Sequence, residues 1–270
     1  MIDHERKKFG ILAFPAGHSL SPVMFEAAGV PYGVFEIPEE EFSDFMKARD
    51  FDGLSVSLPY KERVMEFLDE VSDDARKIGA VNTVMHSDGK LHGFNTDWIG
   101  AVEALLSGLG SDESLSGKKV IVLGAGGAAR AIVYGLLEEG ASVTVLNRDL
   151  KEAQGLADDF GIEVGLLNSI EGRECDILIQ ATSVWLTAGL EVKIVPDKFV
   201  RELGSRGGLV MDIVYKPLMT PLLEMAQAAG CRIVTGEKML LNQACEQFKI
   251  WFGKEAPRED MGEALGRGVV

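Results

Sequence analysis

Short apolar runs alternate with segments of helical periodicity along most of the chain, a pattern typical of α/β folds with mainly parallel sheets. Strands are predicted in the first third at Phe9–Phe14, Tyr32–Ile37 and Gly53–Leu58. Helices are predicted from Pro22, over Glu39–Lys47 and from Tyr60 to Ile78. A hairpin is predicted where Ser87-Asp88-Gly89-Lys90, a typical turn sequence, joins Val81–Met85 to Leu91–Gly93.

The middle of the chain repeats the alternation more regularly. Its predicted strands are Lys119–Leu123, Ser142–Leu146, Glu163–Leu166, Asp176–Gln180, Leu209–Asp212 and Arg232–Val234. Helical segments fill the gaps, except that Thr187–Arg206 is ambiguous and its glycine-rich end favours a loop. From Gly236 the chain is predicted to be helical to Phe252, and the charged tail allows one further helix.

An apolar helix over residues 99–109 leads into Gly108–Gly117, a stretch rich in Gly and Ser, and we place the junction between two domains in this region. The first domain is expected to comprise residues 1–100 plus 236–270, because the helix after Gly236 should pack back on it. The second is expected to comprise residues 101–235. The chain of 270 residues is long enough for two such domains, each with its own core.

The charge of the chain narrows the range of partners. Hydrophobic residues make up 46% and charged residues 26%, which is ordinary for a folded protein. The formal net charge is −15, and no Lys/Arg run offsets it locally. Such a surface repels phosphate backbones, so nucleic acid is not an expected partner. An anionic small substrate would need donors supplied locally by its own site.

The cysteines and the chain start indicate the cellular setting. Cys175, Cys231 and Cys245 are odd in number and lack CxxC spacing, which argues against disulfides and a zinc site and favours a reducing compartment. None of the four histidines is assigned to a metal, and no metal is predicted. No signal peptide follows the charged N-terminus, and no apolar run approaches the ~18 residues of a membrane span. We therefore expect a cytoplasmic protein without membrane contact.

A glycine-rich turn follows the predicted strand Lys119–Leu123. Gly124-Ala125-Gly126-Gly127-Ala128-Ala129 fits G-x-G-x-x-[GA], and an apolar helix and the strand from Ser142 come next. In this pattern the first glycine permits a tight turn, the second admits a pyrophosphate, and the third small residue lets helix and strand pack closely. Free N–H groups at the helix start bind the phosphates. The sequence therefore predicts a dinucleotide-binding βαβ unit.

The residues after the second strand bear on the choice between NADP and NAD. Asn147 at the strand tip is neutral and Arg148 follows, which favours the 2′-phosphate of NADP. Asp149 leaves NAD as the alternative, because a carboxylate there would bind a bare ribose. Asp149 has a second interpretation, since it precedes a predicted helix and would act as its N-cap.

Four polar motifs before residue 101 suggest a small-molecule site. They are Gly17-His18-Ser19-Leu20-Ser21-Pro22, Ser55-Val56-Ser57-Leu58-Pro59-Tyr60-Lys61, Gly79-Ala80-Val81-Asn82-Thr83 and Gly93-Phe94-Asn95-Thr96-Asp97. Each also has a structural interpretation: Ser21 as an N-cap before Pro22, Lys61 as a solvated first-turn lysine, Asp97 as the cap of the next helix. Two hydroxyls at a helix start would still suit a carboxylate.

Taken together, the motifs resemble the shikimate dehydrogenase family from Phe9 to about Gly253. Ser55–Lys61 is similar to the family's N-V-T-x-P-x-K, Asp212–Pro217 to D-x-x-Y-x-P and Gly236–Ala244 to G-x-x-M-L-x-x-Q-A. The resemblance implies an α/β substrate domain and a doubly wound Rossmann-type dinucleotide-binding domain. It also implies reversible NADPH-linked reduction of 3-dehydroshikimate in aromatic amino-acid (chorismate) biosynthesis by a monomer or homodimer.

The resemblance assigns roles to matching positions. It implies Lys61 and Asp97 as the catalytic pair, which would meet across the cleft from the nicotinamide ring. The substrate ligands implied are Ser19, Ser21, Ser57, Asn82, Tyr215 and Gln243. The cofactor contacts implied are Gly124, Ala125, Gly126, Gly127, Ala128, Asn147, Arg148, Thr182, Gly236 and Met239.

The chain departs from the family pattern at several of these positions. Ser55 replaces an Asn, and Asp149 stands where Thr is usual. Gln180 and Trp185 replace Asn and Gly in a loop that lines the cofactor in the family. Two alternatives stay open: an NAD-dependent quinate/shikimate dehydrogenase of the same fold, and a non-catalytic dinucleotide or metabolite sensor. An intact proton donor at Lys61 argues against a sensor, which needs binding groups only.

Overall fold

A computed structural model describes residues 8–17, 19–182, 184 and 193–269. The chain forms two compact units. The first contains residues 1–96 and 243–268, and the second contains residues 97–242. The fold class is α/β with two six-stranded sheets, as predicted. Among the helices of the described residues, none combines the length and apolar character that a membrane span requires.

The first unit is built on a mixed sheet. Its strands are β1 (Phe9–Ala13), β2 (Tyr32–Glu36), β3 (Gly53–Val56), β4 (Glu70–Val71), β5 (Thr83–Ser87) and β6 (Lys90–Phe94), in the order β2-β1-β3-β5-β6-β4. Its helices include α1 (Ser21–Ala27), α2 (Phe42–Ala48) and α3 (Asp73–Ile78). β1 pairs in parallel with β2 and β3, whereas β5 runs antiparallel to β3 and β6. The predicted hairpin is confirmed, with positive φ at Asp88 and Gly89 as a primed turn requires.

The second unit is a doubly wound parallel sheet. Its strands are β7 (Lys119–Leu123), β8 (Ser142–Asn147), β9 (Glu163–Leu166), β10 (Ile177–Gln180), β11 (Leu209–Asp212) and β12 (Arg232–Val234). In the described part of this unit the helices include α4 (Asp97–Leu109), α5 (Gly127–Glu138), α6 (Leu150–Phe160), α7 (Asp197–Ser205) and α8 (Pro221–Ala228). The strand order β12-β11-β10-β7-β8-β9 places the point where the winding reverses between β7 and β10.

Both faces of this parallel sheet are covered, which explains the continuous apolar runs in its strands. Val120 and Val122 of β7 lie in the core that includes Ile132 of α5. Ile121 and Leu123 lie in the opposite core with residues of α7 and α8. The first unit has its own core, which includes Leu12, Leu54, Tyr60 and Leu91.

The last two helices are α9 (Gly236–Phe252) and α10 (Arg258–Val269). Residues 236–242 belong to the second unit, and the helix from Gln243 onward belongs to the first. There Trp251 lies 5.2 Å from the Phe9 and Phe25 rings and donates a 3.0 Å hydrogen bond to the Val84 carbonyl. The end of α9 therefore packs on the first unit's sheet, as the sequence predicts.

Two expectations need correction. Tyr60–Ile78 is not one helix: a 3₁₀ turn at Arg63–Phe67 and strand β4 precede α3. The glycine-rich end of 187–206 is helical, since α7 extends to Ser205; residues 187–192 lie outside the described part.

The compact units divide between Thr96 and Asp97. Within the second unit, α4 packs on α5 and β12, and Arg232 Nη1 donates to the Leu109 carbonyl at 2.8 Å.

Candidate active site

The glycine-rich turn joins β7 to α5 at the carboxyl edge of the second unit's sheet. Gly124 has φ of 111°, which an L side chain rarely adopts, and a Cβ there would lie 2.9 Å from the Ala181 carbonyl oxygen. Ala129, fully buried, lets α5 pack closely on the sheet. The chain therefore turns sharply enough to point the start of α5 along this edge.

The start of α5 has room for a phosphate group. Gly126 is the N-cap, is exposed, and a Cβ added to it would meet nothing within 4 Å. No side chain of the described residues caps this helix, so its first N–H groups point outward as donors. The predicted cofactor contacts Gly124, Ala125, Gly126, Gly127 and Ala128 thus lead into an open helix start, the geometry that a phosphate-binding turn requires.

Asp149 lies just after the end of β8, at the start of α6. Its Oδ1 accepts a 2.8 Å hydrogen bond from the Lys151 N–H, so Asp149 is the N-cap of α6. Asn147 is buried, and its Nδ2 donates to the Asp149 carbonyl at 2.9 Å and to Glu152 Oε2 at 3.0 Å. Arg148 is exposed. Of the two interpretations of Asp149, the structure supports the helix cap.

The other predicted cofactor positions in this unit follow strands β10, β11 and β12. Thr182 comes after β10 and is half-buried, and Gly236 and Met239 are buried in the first turn of α9. Tyr215, predicted to face the substrate, is half-buried after β11. The departure at Trp185 lies outside the described residues.

The first unit contains a buried amide cluster around Asn82. Asn82 Nδ2 donates to Thr96 Oγ1 at 2.9 Å and to Gln243 Oε1 at 3.3 Å. Its Oδ1 accepts from the Thr96 N–H at 2.8 Å and from Thr83 Oγ1 at 2.8 Å. The structure thus brings together two predicted substrate ligands, Asn82 and Gln243, from positions 161 residues apart. Such a network fixes the orientation of the Asn82 amide.

A second chain of hydrogen bonds leads from this cluster toward Ser21. Gln247 Nε2 donates to Thr83 Oγ1 at 3.0 Å, and Gln247 Oε1 accepts from Ser55 Oγ at 2.7 Å. Ser55 Oγ in turn accepts from the Tyr32 hydroxyl at 2.6 Å. Burial raises the pKa of Tyr32, while hydrogen bonds with Ser55 and Ser21 oppose that rise, so the phenol stays a neutral donor. The network links Ser21 to Asn82.

Ser21 does not act as the predicted N-cap. It is the first residue of α1, follows Leu20 at the cap position, and is buried. Its N–H donates to Ser19 Oγ at 3.2 Å, so the two predicted carboxylate ligands are neighbours in space as well as in sequence. The Ser21 side chain makes no cap bond and is instead hydrogen-bonded with Tyr32.

Lys61 lies beside the Asn82 segment. Its carbonyl accepts a 2.7 Å hydrogen bond from the Val81 N–H, and its side chain is half-buried. Ser57, also half-buried, is tied to β1 through its N–H, which donates to the Leu12 carbonyl at 2.9 Å. Asp97 is buried at the start of α4. Because Lys61 and Asp97 belong to different units, their pairing stays a prediction.

The sequence interpretation missed Tyr32, Gln247 and Thr96 as members of the network. Gln247 carries a signal in the sequence, since it follows Gln243 by one helical turn and shares its face of α9. Thr96 lies within the Asn95-Thr96-Asp97 motif. Tyr32 carries no such signal, because its hydroxyl meets Ser55 only through the parallel register of β1, β2 and β3.

Comparisons with known proteins agree along the chain. The family model for the shikimate dehydrogenase substrate binding domain matches residues 11–84, that for shikimate/quinate 5-dehydrogenase residues 109–198, and that for the shikimate 5′-dehydrogenase C-terminal domain residues 236–265. The shikimate dehydrogenase (NADP⁺) of Pyrococcus abyssi is 41% identical, over 97% of this chain and 100% of the relative.

Solved structures of the same family superpose on the chain. A shikimate dehydrogenase in complex with NADP⁺ has a TM-score of 0.88 at 34% identity, covering 100% of this chain and 98% of the other. The Thermus thermophilus enzyme in complex with NADP(H) and shikimate has a TM-score of 0.86 at 38% identity, covering 97% and 99%. By sequence over nearly its full length and by fold, the chain belongs to the shikimate dehydrogenase family.

Proposed function

We propose that the protein catalyses the reversible NADPH-linked reduction of 3-dehydroshikimate to shikimate in chorismate biosynthesis. One observation carries the proposal: a single chain holds an open, uncapped helix start at Gly126 and a buried amide cluster around Asn82. The first suits a dinucleotide, and the second suits a small polyhydroxylated ring. Full-length relatives with this activity support the same conclusion.

The second unit would hold the dinucleotide. N–H groups at the start of α5 bind the pyrophosphate, and the guanidinium of Arg148 pairs with the 2′-phosphate beside Asn147. Since Asp149 is engaged as a helix cap, its carboxylate is turned to the Lys151 N–H rather than to a ribose hydroxyl. When bound, NADPH supplies the hydride. Thr182, Gly236 and Met239 would line the nicotinamide half.

The first unit would orient the substrate. The hydroxyls of Ser19 and Ser21 receive the carboxylate and supply the local donors that an anionic substrate needs on a chain of net charge −15. The amides of Asn82 and Gln243 would exchange the hydrogen bond that they make with each other for bonds to ring hydroxyls, since an amide can donate and accept. Ser57 and Tyr215 complete the substrate contacts. The bonds of Asn82 to Thr96 hold these groups in position before the substrate arrives.

Lys61 would deliver the proton. Reduction of a ketone builds negative charge on its oxygen, and an ammonium within hydrogen-bond reach stabilises that charge and donates the proton. The Asp97 carboxylate would hold the ammonium in place. In the reverse direction the neutral amine accepts the proton from the hydroxyl of shikimate. Such an acid–base pair distinguishes an enzyme from a metabolite sensor.

The compartment and assembly are also proposals. We propose a cytoplasmic location, supported by three buried cysteines that are all free thiols: Cys175, Cys231 and Cys245. A monomer or homodimer remains the expected assembly.

A crossed assay of the purified protein tests the proposed function. Initial rates are measured with NADP⁺ and NAD⁺, each with shikimate and with quinate. We expect the highest kcat/KM for NADP⁺ with shikimate. A higher value for NAD⁺ with quinate would select the quinate/shikimate alternative. Binding of either cofactor without any turnover would select the sensor alternative and overturn the proposal.

A further inference from the structure

A buried amide–carboxylate pair lies at the carboxyl edge of the second unit's sheet. Gln180 ends β10 and Asp212 ends β11, and the two are register partners in the parallel pairing of these strands. Their side chains therefore lie on the same face of the sheet as neighbours. Neither residue is exposed to solvent. Both are followed by segments that contain predicted site residues.

Gln180 holds the segment that follows β10. Its Oε1 accepts from the Thr182 N–H at 2.5 Å, and its Nε2 donates to the Thr182 carbonyl at 3.0 Å. The same Nε2 approaches Asp212 Oδ1 at 3.5 Å. The Gln180 amide therefore makes two hydrogen bonds to the backbone of Thr182 and also contacts Asp212 at the end of β11. The shorter Asn, usual at this position in the family, lacks one methylene of that reach.

Asp212 holds the segment that follows β11. Its Oδ1 accepts from the Val214 N–H at 3.0 Å, and its Oδ2 accepts from Thr220 Oγ1 at 2.6 Å. Thr220 is itself the N-cap of α8. The carboxylate thus fixes both ends of the connection that contains Tyr215. Through Gln180 Nε2 it also joins that connection to Thr182.

Both segments lie against glycines of the predicted cofactor site. A Cβ on Gly124 would lie 2.9 Å from the Ala181 carbonyl oxygen and 3.1 Å from Thr182 Cγ2. A Cβ on Gly236 would lie 2.7 Å from the Val214 carbonyl oxygen. At both glycines the neighbouring backbone oxygen lies too close for a residue with a side chain to fit. A small shift of either segment would therefore displace the glycine-rich turn or the start of α9.

We infer that Gln180 and Asp212 are positioning residues that set the spacing between the two walls of the dinucleotide site, at Gly124 and at Gly236. This inference rests on the proposed function. The pair acts through Thr182 and Val214 rather than by touching the cofactor. Its contribution belongs to cofactor affinity, because the segments it holds adjoin predicted cofactor contacts.

The test measures the Kd of NADPH by fluorescence titration of the full-length enzyme, together with the KM of shikimate. The variant Gln180→Met keeps the shape and removes both polar groups. We expect it to raise the NADPH Kd roughly 3- to 10-fold, the factor that corresponds to one lost hydrogen bond, with the KM of shikimate unchanged. Asp212→Asn, which retains one acceptor and one donor, should keep the wild-type Kd.

Asp176→Asn is the matched control. Asp176 Oδ2 accepts from the Lys119 N–H at 2.8 Å at the opposite end of the same sheet. Its loss should leave the NADPH Kd unchanged even if it lowers the melting temperature. An unchanged Kd in Gln180→Met, or an equal rise in Asp176→Asn, would overturn the inference alone. Wild-type protein that binds no NADPH would overturn the proposed function and the inference with it.

Discussion

The carboxyl group of Asp212 gives a prediction that separates its charge from its hydrogen bonds. Asp212→Asn keeps the size of the side chain. The amide oxygen can accept from the Val214 N–H and from Gln180 Nε2, and the amide nitrogen can donate to Thr220 Oγ1, which already accepts from the Leu223 N–H. The variant therefore resembles the protonated acid with its contacts retained.

The size of the expected change in the free energy of unfolding follows from burial of the Asp212 carboxyl group. Burial raises the pKa of Asp212 from 3.8 to about 7, although Thr220, the Val214 N–H and Gln180 oppose the rise. A raised pKa means that the folded protein holds the proton more tightly than the unfolded chain. This contribution to stability is complete below pH 3.8 and is lost as the pH rises to about 7. At about 1.4 kcal/mol per pKa unit, the loss amounts to about 4 kcal/mol.

The assay is urea unfolding of wild type and Asp212→Asn between about pH 4 and about pH 8. The free energy of unfolding of the variant relative to wild type should rise with pH by about 1.4 kcal/mol per unit and level off above about pH 7. Parallel curves for wild type and Asp212→Asn would show that the buried carboxyl does not titrate in this range, and would refute the reasoning.

Three further variants probe the first unit and the ribose site. Tyr32→Phe removes the hydroxyl that donates to Ser55, so the free energy of unfolding should fall by about 1–2 kcal/mol and the KM of shikimate should rise; an unchanged KM would separate this network from the substrate site. Ser21→Ala should raise the KM of shikimate roughly 3- to 10-fold with a smaller change in kcat. Steady-state rates that show a lower kcat with an unchanged KM would contradict the carboxylate assignment. Asp149→Ala removes the cap of α6, so the free energy of unfolding in urea should fall by about 1 kcal/mol. The ratio of kcat/KM with NADP⁺ to kcat/KM with NAD⁺ should stay the same. A changed ratio would show that Asp149 reaches the ribose.

Local patterns predicted the second unit well because its central parallel strands are nearly unbroken apolar runs, and the edge strands β9 and β12 are short segments between helices. β7, β9, β11 and β12 begin and end at the predicted residues. The prediction of a loop at the end of α7 was wrong for a reason outside the sequence of that segment. Gly204 indicates a loop, yet in the structure a Cβ there would collide with the backbone of Ala229, so the glycine permits close packing of a helix. Ala229 lies too far along the chain for a local sequence pattern to reveal this contact.

The candidate site shows the same limit. Motif resemblance selected Asn82 and Gln243, which the structure joins directly. For Asp149, sequence alone left a ribose ligand and a helix cap open, and only the 2.8 Å bond to the Lys151 N–H distinguishes them. The link from Tyr32 through Ser55 to Gln247 depends on strand register and on the return of α9, which are tertiary facts. Predictions from motifs find ligands more readily than they find what holds those ligands.

The most direct test of the account is the effect of Lys61→Ala on turnover. Its kcat for shikimate oxidation with NADP⁺ should fall by roughly a hundred- to ten-thousand-fold, the scale of a lost acid–base group, with the NADPH Kd unchanged. Lys47→Ala, an exposed lysine on α2 of the same unit, is the control and should retain wild-type rates. Wild-type turnover in Lys61→Ala would contradict the proposal that this lysine moves the proton.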